Sequence, residues 1–170
     1  METEYVLYIL MRTDLPSMNP GKAMAQASHV SNAFVADIDD RTKQEEALWA
    51  ESKSVTEAAL EWKNTTCQGF GTVLVLGCDL VEIENVDLNI VTAKLQNQVV
   101  FDYLHDPTYP YIVNLEVKDL IDRDFHTEDP HELESGDFVC FRNEVTCAYL
   151  FADKNSETTK KLVGHLKLHP

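Results

Sequence analysis

The hydrophobic period changes early in the chain. Tyr5-Val-Leu-Tyr-Ile-Leu10 is a continuous apolar run of strand length, whereas from Pro20 onward apolar residues recur at helical spacing. Asn19 is a favoured N-cap and Pro20 suits the first helical position, where a backbone N–H would have no intrahelical partner, so a helix is predicted to begin at about Pro20. At roughly 100° per residue, Ala23, Ala27, Val30 and Phe34 share one arc, and Lys22, Gln26 and His29 share a neighbouring one. Asp39 or Asp40 offers a cap for a second helix reaching about Lys63, along which Ala47, Leu48, Val55, Ala58, Ala59 and Trp62 recur near helical spacing. Thr72 to Cys78 is apolar throughout, as in a central strand buried on both sides. A helix over Glu84 to Gln98 follows, carrying Val86, Ile90, Val91 and Leu95. A third strand, Val99 to Leu104, then runs into an acidic turn at Asp106 that Pro107 and Pro110 stiffen.

Ile112 to Val117 reads as an added strand or a flanking segment, and Ser156 as a cap for a last helix burying Leu162, Val163 and Leu166. The order strand, helix, helix, strand, helix, strand, strand, helix implies an α/β, three-layer architecture, a mixed and mostly four-stranded sheet with helices on both faces. At 170 residues the chain suits one domain, residues 1–170.

The polar arc of the first helix is the first candidate for chemistry. Lys22 lies in the first turn, where free backbone N–H groups and the positive end of the helix dipole already favour an anion. The same spacing also suits a solvated face with no further role. Asp106 has two readings as well, a carboxylate presented by a rigid loop or a turn residue bonding its own backbone.

Charge complicates any partnership with nucleic acid. The formal net charge is −15, and affinity for phosphates comes largely from lysines and arginines that displace counterions. Much of the acid sits in two blocks, Asp37 to Glu61 and Glu116 to Asp137, apart in sequence from Lys22. A small positive patch from Arg12, Lys22, Lys160, Lys161 and Lys167 is expected if the last helix packs near the first strand. Cys67, Cys78, Cys140 and Cys147 form no Cys-x-x-Cys pair, and the last three lie in apolar strand-like contexts, so buried thiols are expected. His126, Glu128, Asp129, His131 and Glu132 are metal-ligand types. Their stretch is polar, carries Pro130 and fixes no ligand pair on a helix face, so a surface loop and no metal are expected. The absence of a long apolar run argues against a transmembrane helix, and Met-Glu-Thr-Glu is not a signal peptide, so a cytoplasmic protein is expected.

The run Arg12-Thr-Asp14-Leu15, Met18-Asn-Pro-Gly21-Lys22, Ala25-Gln26-Ala-Ser-His29 resembles the first strand and helix of the type II peptidyl-tRNA hydrolases, with one extra residue between Leu15 and Met18. Thr146-Cys-Ala-Tyr-Leu-Phe-Ala152 is similar to that family's last strand, and Gly164-His-Leu-Lys-Leu168 to its terminal helix and tail. The family's Asp-Ala-Gly-x-Thr loop after the third strand is not present. Its nearest counterpart is Val99 to Pro110, where Asp106 stands for the acid and Thr108 for the loop threonine, two residues on rather than four. Tyr111 to Asn143 matches poorly and holds an acidic insertion around 116–140.

The resemblance implies hydrolysis of the ester between a peptide and the tRNA 3′ end, by water and without a metal or organic cofactor. It implies catalytic roles for Lys22, Asp106, Thr146 and Thr108, contacts to substrate from Arg12, Asp14, Gln26 and His29, and a homodimer. Two rival readings follow from the altered loop and the acidic charge: a binding or regulatory protein on the same fold with a basic protein partner, or a hydrolase of another acylated small molecule.

Overall fold

The computed structural model describes residues 3–45, 53–65, 70–113, 131–133 and 135–170. Strand β1, Tyr5–Arg12, leads into helix α1, Pro20–Glu45, and then α2, Lys53–Lys63, before β2, Val73–Cys78. Helix α3, Leu80–Thr92, precedes β3, Val100–Val113, followed by β4, His131–Glu132, and β5, Phe138–Asp153. A short helix α4, Glu157–Val163, and β6, Lys167–Leu168, complete the series. The strands lie in the order β3-β5-β1-β2-β6, with β4 paired to β5 off that path. β1 and β2 are parallel, and β5 runs antiparallel to both β1 and β3.

The crossover rule accounts for the three layers. β1 to β2 crosses one way along the sheet, and β2 to β3 crosses back over β1 and β5 to the far edge. Two right-handed crossovers in opposite directions put their helices on opposite faces. Accordingly α1 and α2 pack Phe34, Ile38, Val55 and Trp62 against Leu7, Ile9, Tyr149 and Phe151. On the other face α3 and α4 pack Ile83, Val86, Ile90, Leu162 and Val163 against Val6, Leu10, Leu150 and Ala152. The odd and even residues of β1 thus serve two different cores, which is why its sequence is apolar without alternation.

The expected α/β three-layer fold holds, with more strands than the four expected. The second helix does not start at Asp39 or Asp40, because α1 continues through both to Glu45. Those carboxylates instead bond the ammonium groups of Lys63 and Lys43. Helix α3 begins earlier than Glu84, capped by Asp79, whose side chain accepts from the Glu82 N–H while Glu82 reaches back to the Asp79 N–H. Asp87 on this helix accepts from the Tyr103 hydroxyl at 2.9 Å.

The third strand does not stop at Leu104. It continues to Val113, so Asp106 lies within a strand rather than in a turn. Ile112 and Val113 close that strand; 114–130, most of the acidic insertion and the positions of His126, Glu128 and Asp129 lie outside the described residues. Cys78, Cys140 and Cys147 are buried as expected, while Cys67 lies outside the described residues.

Candidate active site

Two irregularities in the β3–β5 ladder determine where the site's side chains point. Leu104 pairs Cys147 but His105 pairs Val145, so Thr146 is an extra residue on β5. Asp106 pairs Glu144 and Tyr109 pairs Arg142, so β3 in turn carries an extra residue between them. A bulge of this kind re-aims side chains that strict alternation would send to the other face. Thr146 and Cys147 therefore both face α1: the Thr146 hydroxyl donates to Gln26 Oε1 at 2.9 Å, and the Cys147 thiol lies 3.8 Å from the Gln26 carbonyl oxygen.

Gln26 is the joint of the site. Its Nε2 donates to Asp106 Oδ2 at 3.0 Å, while its Oε1 accepts from Thr146. An ionised carboxylate can only accept, which orients the amide and leaves its oxygen for the buried threonine. The other Asp106 oxygen accepts from the Thr108 N–H at 3.0 Å and the Thr108 hydroxyl at 3.2 Å. Three donors on a group with about four acceptor positions leave room for one more, the size of a water. Asp106, Gln26, His29, Leu104, His105, Pro107 and Thr108 line a cavity of about 490 Å³. A slightly larger one, about 550 Å³, lies at the other end of β1 among Tyr5, Trp62 and Phe70, away from this acid.

Lys22 stands one helical turn before Gln26. Asn19 caps α1, its side chain accepting from the Lys22 N–H at 3.0 Å. The Lys22 ammonium lies 5.2 Å from the centre of the Tyr109 ring, over its face, a cation–π arrangement. The strands thus bring a carboxylate and an ammonium to the same side of the sheet, both anchored through α1. His29 is exposed on the rim of the cavity.

Arg12 and Asp14 are differently employed. Arg12 is buried, and its Nε and Nη2 donate to the two oxygens of Asp14 at 2.8 and 2.7 Å. Its Nη1 donates to Glu144 at 2.7 Å and to the Val145 carbonyl at 3.0 Å. The Tyr111 hydroxyl donates to the other Glu144 oxygen at 2.7 Å. The Arg12 hydrogen bonds hold the Asp14 carboxyl below its ordinary range, and the same bonds raise Arg12. This brace ties β1 to the two long strands beside the site. Lys160 and Lys161 do not join the expected basic patch: they lie on α4, across the sheet from α1, and Lys160 bonds Glu157.

Tyr109, Tyr111 and Glu144 were not among the sequence-derived candidates. Tyr109 carried no motif, and the parity of residues on β3 and β5 cannot be counted through two bulges.

The chain matches the family model of peptidyl-tRNA hydrolase PTH2 over residues 5–103, more than half its length. It belongs to the peptidyl-tRNA hydrolase PTH2 family. This makes the protein an esterase-type hydrolase that acts on peptidyl-tRNA, releasing the peptide and free tRNA. The matched region of the hydrolase takes in Arg12, Lys22, Gln26 and His29 and ends three residues before Asp106. The two bulges lie beyond it. No curated protein matches the chain. No helix among the described residues of the hydrolase is long and apolar enough to cross a membrane.

Proposed function

We propose that this peptidyl-tRNA hydrolase works by carboxylate-assisted attack of water, with Asp106 as the base and Lys22 as the stabiliser of developing negative charge. The observation that carries the reading is the Asp106–Gln26–Thr146 chain, one turn of α1 from Lys22. Water held against the free acceptor position of Asp106 gives up a proton to it as its oxygen bonds to the ester carbonyl carbon. The carbonyl oxygen takes the negative charge and faces the Lys22 ammonium. Collapse breaks the bond to the 3′ ribose oxygen, which leaves with the proton returned by Asp106.

Thr108 orders the carboxylate from one side, and Thr146 orders it from the other through Gln26. The brace favours a supporting role for Arg12 and Asp14 over direct contact with the RNA, while exposed His29 is free to meet the tRNA end. The reading takes 1–170 as one domain of a cytoplasmic homodimer, with the acidic stretch 116–140 as an addition.

Hydrolysis of an N-blocked aminoacyl-tRNA tests it. Asp106→Asn is expected to lower kcat by about 100-fold or more, and Lys22→Ala by a similar factor, with melting temperatures near that of the parent. An unchanged rate in either variant overturns that residue's role. Light scattering at working concentration checks the dimer.

A further inference from the structure

We infer that Tyr109 is a positioning residue which keeps Lys22 and Asp106 from neutralising one another, through the face of its ring and not through its hydroxyl. The inference rests on the roles proposed above for those two charged groups.

Lys22 and Gln26 lie four residues apart on one helix face, about 5–6 Å between Cβ atoms, and Gln26 touches Asp106. A direct Lys22–Asp106 bridge is within the span of a lysine side chain, and it would quench both charges. The structure holds them separately. Asp106 is occupied by Gln26 and Thr108, and the Lys22 ammonium makes no ion pair among the described residues but sits over Tyr109.

Tyr109 is suited to this task by its burial. It is 1% exposed and packs edge-on against Tyr111 with ring centres 5.6 Å apart, so the ring cannot swing away. Its hydroxyl is buried beside that of Ser17 and makes no hydrogen bond of good geometry among the described residues. Ser17, on the same side, spends its hydroxyl on the Pro110 carbonyl at 3.0 Å. A buried phenol whose neighbouring hydroxyl is already committed to a carbonyl gains little through its oxygen, which leaves the ring as the useful part. The bulge between Asp106 and Tyr109 links the two tasks, since one extra residue sets both the carboxylate against Gln26 and the ring under Lys22. The other titratable groups around this pair are His29 on α1, Arg12 at the end of β1 with Asp14 just beyond it, His105 and Tyr111 on β3, and Arg142 and Glu144 on β5; Glu144 accepts from Arg12 and Tyr111 and lies 3.6 Å from Arg142, which pairs with Tyr109 across the strands.

The test compares three rings and one aliphatic side chain at this position. Tyr109→Phe keeps the ring face and is expected to retain kcat within about twofold. A fully ring-fluorinated phenylalanine, of similar shape but reversed quadrupole, and Tyr109→Leu are each expected to lower kcat by about two- to thirty-fold with little change in KM. In both, the acidic limb of the rate profile moves to lower pH as Lys22 pairs with Asp106, a change that loosened packing would not produce. Loss of activity in Tyr109→Phe, or full activity with an unmoved profile in the fluorinated variant, overturns the inference. The fluorinated ring keeps the test decisive if Tyr109→Leu does not fold. Lys22→Ala, run alongside, separates the two readings. If it stays active, the role of Lys22 falls; if it is inactive while the fluorinated variant is normal, only the role of Tyr109 falls.

Discussion

Gln26 ties the first helix to both long strands through its amide. It looks like a member of a polar helix face, yet it is only 8% exposed and is bonded at both ends of its amide. Thr146→Val keeps the shape of its partner but removes the donor, leaving Gln26 Oε1 buried and unsatisfied. The expected cost is about 1–3 kcal/mol, read as a lower denaturation midpoint at unchanged slope, and kcat should fall with it as the amide loosens from Asp106. An undiminished midpoint would mean that the amide turns to another donor. Asp14 gives a prediction in pH. Its carboxyl is lowered by the hydrogen bonds from Arg12, so the stability it contributes is fully present above its unfolded value of about 4 and is lost as pH falls through the lower folded value. Asp14→Asn should therefore melt below the parent at neutral pH, and the gap should close as both are taken into acid. A gap that stays constant down to the lowest pH would contradict this linkage. Helical periodicity was enough to group Lys22 with Gln26 and His29. The aromatic platform and Glu144 were illegible because they belong to strand positions whose facing is reset by the bulges.

The same contrast holds for whole elements. β1 could be read directly, since a strand buried on both faces is written as an unbroken apolar run, whereas β2, equally apolar, is buried only at Leu76 and Cys78 and leaves Val73 exposed. Helix α1 was readable at its start, where Asn19 and Pro20 act locally, and misread at its end, where Asp39 and Asp40 resemble caps but serve as partners for lysines. Pro107 and Pro110 suggested a turn for a similar reason. In an edge strand their missing N–H groups cost little, and β3, at the sheet's edge, absorbs both beside its bulge. The position of α1 over the site depends on Phe34, whose ring packs against Phe151 at 5.2 Å, Tyr149 at 5.5 Å and Trp62 at 5.7 Å between centres. Phe34→Ala is expected to destabilise the fold by about 3–5 kcal/mol. Because α1 carries both Lys22 and Gln26, the activity of that variant should fall more steeply on warming than the parent's. A loss under about 1 kcal/mol by urea denaturation would show that the helix is held by something other than this cluster.

At the scale of the molecule, a hydrolase of net charge −15 acts on a polyanion. The described basic side chains are largely spent internally: Arg12 on Asp14 and Glu144, Arg41 on Asp37, Lys63 on Asp39, Lys154 on Glu4 and Lys160 on Glu157. Lysines 160 and 161 also face away from the site, on the other side of the sheet. The described surface thus offers few free cations to phosphates, and on the proposed reading substrate selection falls to the reacting end, at Lys22, His29 and the cavity beside Asp106. Salt should then behave unusually. A protein that neutralises six or more phosphates loses about 10³-fold or more in affinity between 50 and 200 mM salt. Here kcat/KM is expected to change by less than about threefold over that range, or to rise, because screening weakens the overall repulsion as much as the few attractive contacts. A steep fall would show that several phosphates are neutralised after all. Lys22 alone would then be too little to account for it.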